Sequence, residues 1–230
     1  MDVEIKRDGF IYKLHFEKGE NIGGLQKETY NRKDTGSKIK WKPDLNVFTD
    51  ISIPYEYFVD VLKRQAVVNA GIKFILKYQD ETGFKEQEFL YQNGISDYAA
   101  ELLGGDYLTP VQNWALETKV KDREDKPFYK LKLNVSIAFS NKVSLAEYYH
   151  NSSFLEHGGA PEKAVKSAFV SEIDAYLKQN GKYTKNENKI SFSDIEDSLV
   201  IIISSFSTVT SYENQTKKSI TNKGIQSLLK

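Results

Sequence analysis

Every second residue from Tyr129 to Phe139 is apolar: Tyr129, Leu131, Leu133, Val135, Ile137 and Phe139. Such a sustained period of two predicts a long antiparallel strand with one buried face. Just before it, Trp114, Leu116 and Val120 alternate with polar residues, and a charged stretch, residues 121–126, separates the two segments. A hairpin pair is expected. Farther on, Leu199-Val200-Ile201-Ile202-Ile203 is unbroken and apolar, which predicts a strand buried on both faces. A chain with these three segments must build a sheet and must cover it.

The remaining sequence switches between periods. Val3 and Ile5, a turn at Asp8-Gly9, and Phe10, Tyr12, Leu14 and Phe16 predict an opening hairpin. A glycine-bearing stretch, residues 19–24, follows, and then a strand through Lys38-Ile39-Lys40-Trp41-Lys42, stopped by Pro43-Asp44. These strands read as the end of a sheet whose first part is missing. From Tyr55 a helical face appears through Phe58, Val59, Leu62 and Ala66, with Gly71 as its stop. Ile72, Phe74, Leu76 and Tyr78 then alternate and turn through Glu81-Thr82-Gly83 toward Phe89 and Tyr91. A short helix is expected over residues 95–103, closed by Gly104-Gly105, and a strand over residues 147–154.

Pro161 suits a first helical position and opens the clearest helix. Val165, Phe169, Ile173 and Tyr176 form its expected buried face, and Glu162 with Lys166 an i,i+4 pair. Gly181 follows its end, residues 186–189 are a polar loop, and Ser193 is placed to cap a short helix over residues 194–199. Strands and helices intermingle without regular βαβ alternation, so the expected class is α+β.

Composition closes off several kinds of chemistry. There is no cysteine, which excludes disulfides and thiolate metal sites. His15, His150 and His157 lack metal-ligand spacing, and there is no Gly-x-Ser-x-Gly elbow. No apolar run reaches the roughly 20 residues of a membrane-spanning helix, and the first residues lack a signal peptide's basic and apolar regions. A cytoplasmic protein with no membrane partner is the expectation. Lys plus Arg equal Asp plus Glu at 32 each, so bulk charge does not announce a nucleic-acid binder, although net charge hides patches.

Two short strings carry chemical potential. Gln215-Thr216-Lys217 follows the apolar run and precedes a helix-like segment. A loop lysine there is placed to reach an anionic phosphate, and a glutamine can position a water. The same three residues also fit a solvated loop. Glu156-His157-Gly158-Gly159-Ala160-Pro161 places two glycines at a strand-to-helix junction, where they permit positive φ or close backbone approach. An ordinary turn explains them equally well, and nothing beside them resembles a Walker loop.

Taken in order, several strings resemble the DNA gyrase B and topoisomerase IV B family of type IIA DNA topoisomerases. Arg7-Asp8-Gly9 with Tyr12, and Phe16-Glu17-Lys18-Gly19, look like a hairpin late in that family's ATPase domain. The run from Thr35 through Trp41 to Pro43-Asp44 resembles the strand that ends the domain. Ala66, Asn69 and Gly71 resemble the following helix and its exit. Residues 151–166 resemble an Asn-rich strand, a Glu-Gly-Gly turn and a long helix, and Tyr212-Glu213-Asn214-Gln215-Thr216-Lys217 a phosphate-reaching loop. One departure is that His157 follows Glu156, and Ala160-Pro161 stand where the family has Thr-His. This suggests a divergent branch and leaves gyrase against topoisomerase IV open.

The resemblance implies a ribosomal protein S5 domain 2-like transducer over residues 51–217. Residues 1–50 would be terminal strands of a GHKL ATPase domain, and residues 218–230 the start of a linker helix toward the cleavage core. It implies that Lys217 contacts the γ-phosphate of ATP, with Gln215 beside it supporting the closed state and Thr216 completing the cofactor-binding string. The adenine- and Mg2+-binding residues would precede residue 1, and the metal-binding carboxylates of the cleavage domain would follow residue 230. This chain alone is therefore expected neither to turn over ATP nor to relax DNA. Implied partners are the A subunit in an A2B2 assembly, a second B subunit and double-stranded DNA. Two other readings stand beside this one: the second domain of a mismatch-repair or chaperone-type GHKL ATPase, and a stand-alone S5-like nucleic-acid-binding module. Zero net charge and the orphan strands at the start count against the latter.

Overall fold

The computed structural model describes all 230 residues and divides the chain into two compact units, Met1–Pro54 and Tyr55–Lys230. In the first, β1 (Asp2–Arg7), β2 (Phe10–Glu17), β3 (Glu20–Thr29) and β4 (Gly36–Lys40) form one antiparallel sheet in the order β3-β2-β1-β4. Asp8 and Gly9 both take positive φ, as a two-residue hairpin turn matched to strand twist requires. Most of the glycine-bearing stretch, from Glu20 on, is the start of β3, whose register with β2 shifts between Lys13 and His15. Gly23 and Gly24 sit at this irregularity with positive φ. Val3, Ile5, Tyr12, Leu14 and Ile39 share a face by register. No residue of this unit is buried, so its sheet has no core of its own.

The second unit is α+β. Its main sheet has the order β10-β9-β11-β8-β7, from β7 (Thr109–Val120), β8 (Tyr129–Phe139), β9 (Leu145–His150), β10 (Ser153–Phe154) and β11 (Leu199–Ser207). The central strand β11 is antiparallel to β8 and parallel to β9. Its unbroken apolar run follows from being covered twice. Leu199, Ile201 and Ile203 pack with Leu131, Leu133, Val165 and Ile225 on the side of α3 (Ala160–Gln179) and α5 (Lys223–Leu229). Ile202, with Tyr149, packs against Ala66, Val67 and Ala99 from α1 (Tyr55–Val68) and α2 (Ile95–Leu103). A separate hairpin, β5 (Phe74–Asp80) and β6 (Gly83–Phe89), sends Phe89 into this second cluster.

The expected hairpin pair is β7 and β8, but Trp114 and Leu116 are 56% and 47% exposed, because β7 is the edge strand and its apolar face has a neighbour on one side only. Several expectations need correction. Burial along α1 concentrates in Ala66, Val67 and Val68 at its C-terminal end, which leaves Phe58 exposed near its start. In α3, Tyr176 is exposed while Leu177, four residues after Ile173, is half-buried. The strand expected over residues 147–154 is two strands, β9 and β10, reversed at Asn151 and Ser152, which both take positive φ. The short helix α4 is only Ser193–Glu196, and Ser193 does not cap it. Instead the Asp194 carboxylate accepts bonds from the Ser191 N–H and hydroxyl at 2.8 and 2.7 Å.

Candidate functional site

Between β11 and α5 the chain makes a narrow excursion. Tyr212 and Ile220 form an antiparallel bridge, Glu213 N–H donates to the Ser219 carbonyl at 3.0 Å, and Thr221 N–H to the Ser211 carbonyl at 2.8 Å. The two limbs therefore run side by side, and Asn214, Gln215, Thr216 and Lys217 form an exposed apex. The apex is shaped by Asn214, whose side-chain oxygen accepts the Thr216 N–H at 3.2 Å and also the Thr216 hydroxyl. Lys217 takes a left-handed φ of 58°.

Neighbouring lysines have different fates here. The Lys218 ammonium is paired with Glu156 and holds that carboxyl below its ordinary range. Lys217 has no carboxylate within salt-bridge distance; its ammonium lies 5.7 Å from the Tyr212 ring centroid. It is an uncommitted cation on an exposed tip, free to meet an anion.

The Glu156–Gly159 turn is stitched to the same loop. His157 N–H donates to the Lys218 carbonyl at 2.9 Å and Ala160 N–H to the Ile220 carbonyl at 2.8 Å. One amide of the α3 N-terminus is thereby used by the protein itself. Gly159 is required by space as well as by its φ of 89°: a Cβ there would lie 2.4 Å from the Ile220 carbonyl oxygen. The two strings singled out in the sequence thus form one assembly.

Both feet of the loop are anchored. At the entry, Asn151 accepts the Ser207 N–H at 2.9 Å and donates to the Thr210 hydroxyl at 2.9 Å. Beside it His150, fully buried, is within 2.8 Å of Ser205 Oγ and 3.0 Å of Thr210 Oγ1. Burial pulls its pKa down to about 4, so it is a neutral hydrogen-bonding group. The Asn151 turn is tied to α1 through Ser152, which receives Gln65 Nε2 at its carbonyl at 2.9 Å and donates its hydroxyl to Asn69. At the exit, fully buried Asn222 accepts the Ser211 N–H at 2.9 Å. Sequence reading missed His150 and Asn222 as site-building residues, since no local pattern links them to their partners Ser205, Thr210 and Ser211. No cluster of three or more His, Asp or Glu is arranged to hold a metal ion.

Comparison with known proteins agrees with this architecture. The family model described as DNA gyrase B matches residues 94–230. The DNA gyrase B protein of Metamycoplasma arthritidis is 28% identical over 229 residues, covering 96% of this chain and 35% of that protein. The DNA topoisomerase 4 B protein of Escherichia coli K12 is 32% identical over 127 residues, 53% of this chain and 20% of that protein. The chain thus spans about a third or less of these curated relatives. The topoisomerase IV ATP binding domain of Francisella tularensis, solved with a small-molecule inhibitor, shares the fold. Its TM-score is 0.69 at 23% identity, over 99% of this chain and 59% of that one. With more than half of its residues matched by the family model, the chain belongs to the DNA gyrase B family.

Proposed function

We propose that this chain is the transducing part of the ATPase subunit of a type II DNA topoisomerase, and that Lys217 reads the γ-phosphate of ATP. The observation that carries this reading is the uncommitted Lys217 ammonium at the tip of a loop anchored at both feet. A lone cation there gains a strong charge-assisted contact to a terminal phosphate. ADP has no such phosphate, so hydrolysis removes the contact. The difference biases a two-state arrangement, closed with ATP and released with ADP. Gln215 and Thr216 flank the lysine on the exposed apex and complete the contact surface. No carboxylate cluster here suits Mg2+, so in this reading the ion and the adenine are held elsewhere in the parent protein.

The Met1–Pro54 sheet, with no buried residue, fits the last strands of a GHKL ATPase domain, whose other parts would cover its apolar side. The remainder to residue 217 is read as an S5-like transducer, with α5 as the beginning of the connection to the cleavage core. The parent protein would act in the cytoplasm with a second copy of itself, an A subunit and double-stranded DNA. On this reading the chain alone neither hydrolyses ATP nor relaxes DNA.

The test replaces Lys217 by Ala in the full-length protein. ATP-dependent supercoiling or relaxation should fall about 100-fold, the scale of losing one donor aimed at reacting charge. Lys218→Ala, which removes the partner of Glu156, should have a much smaller effect. Equal losses in the two variants, or none in the first, would refute the assignment.

A further inference from the structure

Asn222 stands at the N-cap of α5 but makes no capping bond with its side chain. Instead Asp122, one hundred residues away, accepts the Gly224 N–H at 2.8 Å. The side chain that would ordinarily cap this helix has been turned toward the loop. We propose that Asn222 is a positioning residue that couples the Lys217 loop to α5. The inference rests on the role proposed for that loop and adds the route by which its displacement leaves it.

The geometry joins four segments at one buried amide. Asn222 Oδ1 accepts the Ser211 N–H at 2.9 Å, and Nδ2 donates to the Val209 carbonyl at 3.3 Å, both on the entry limb. Nδ2 also donates to Asp122 Oδ2 at 3.2 Å, in the connection between β7 and β8. Asp122 Oδ1 in turn accepts the Tyr129 hydroxyl at 2.7 Å, at the start of β8. Burial, and then Asp122, raise the Tyr129 pKa, so the phenol remains a donor. Only an amide supplies both the acceptor for Ser211 and the donor for Val209 and Asp122.

There is little slack around this joint. A Cβ on Gly224 would lie 2.8 Å from Tyr129 Oη and 2.9 Å from Val120 Cγ2, so the first turn of α5 sits directly on the end of the hairpin. Next to it, the Thr221–Ser211 backbone bond closes the limbs. A displacement of the Lys217 apex is therefore not absorbed at its feet. It moves the joint, and α5 moves with it. Packed joints of this kind shift between discrete arrangements rather than deforming smoothly.

Hydrogen exchange on this 230-residue chain tests the coupling without nucleotide, and so apart from the Lys217 reading. Asn222→Asp keeps the shape, removes the donor and places a carboxylate against Asp122. Exchange of residues 212–220 and 223–229 should rise together, by about tenfold or more, while β8 and β11 stay protected. The double variant Asp122→Asn with Asn222→Asp restores the bond between the two side chains, though not the one to Val209, and should recover part of the protection in both segments. Loosening of α5 with an unchanged loop, or no recovery in the double variant, would overturn the proposal. If Asn222→Asp unfolds the sheet as well, Tyr129→Phe, which takes one donor from Asp122, serves in its place with the same criterion of joint loosening. In the full-length protein, Asn222→Asp should leave ADP binding, which does not involve the Lys217 loop in this reading, within about twofold while strand passage falls about tenfold. Parallel loss of both would contradict a coupling role.

Discussion

At the scale of single residues, the candidate site separates an exposed cation from the residues that support its loop. Lys217 is exposed and uncommitted, whereas Lys218, next to it, is spent on Glu156. His150 belongs to the support. Its folded pKa, about 4, is depressed from the ordinary 6.5 by burial, so in the native state it resists a proton that the unfolded chain accepts. Below pH 6.5 the unfolded state binds more protons, and stability falls as pH falls toward 4. At about 1.4 kcal/mol per unit, the loss across this window is roughly 3 kcal/mol. Denaturant unfolding at a series of pH values from neutral down to about 4 should show it as a slope that His150→Gln flattens. An identical pH slope in the variant would mean that His150 is not the titrating group.

The joint between the Gly159 turn and the Ile220 limb is the critical contact between elements. Gly159→Ala would place a methyl group against the Ile220 carbonyl and force an L side chain into positive φ. The expected cost is about 2–4 kcal/mol in unfolding free energy, from overpacking and backbone strain together. It should fall with a loosened loop and an unchanged β5–β6 hairpin. A loss under about 1 kcal/mol, measured by denaturant titration, would show that the turn and the loop give way easily.

Elements with strong local signals were legible in the sequence. The α2 boundaries, the β1–β2 turn and the alternation of β8 follow from residues within a few positions of one another. The Lys217 loop was visible only as a string following an apolar run. Its pairing with the Gly158-Gly159 turn is tertiary, and no local pattern specifies it. β3 was hidden because Gly23 and Gly24 mark both turns and strand irregularities. The exposure of Trp114 and Leu116 depends on which strand ends a sheet, a fact of topology rather than of periodicity. Asn222 carried no signal, because an asparagine before a helix ordinarily reads as a cap.

Across the whole molecule, the two units differ in kind. The second has a sheet covered on both faces, with β11 at its centre. The first buries no residue, which suits a sheet completed by further polypeptide. On the proposed reading, the nucleotide signal enters at a loop of the second unit and leaves through α5. The most direct test is to compare, in the full-length protein, binding of a non-hydrolysable ATP analogue and of ADP, before and after Lys217→Ala. If Lys217 touches only the γ-phosphate, triphosphate affinity falls by about tenfold or more, as for loss of a hydrogen bond to a charged group, and ADP affinity is unchanged. Equal weakening of both nucleotides, or of neither, would contradict the account.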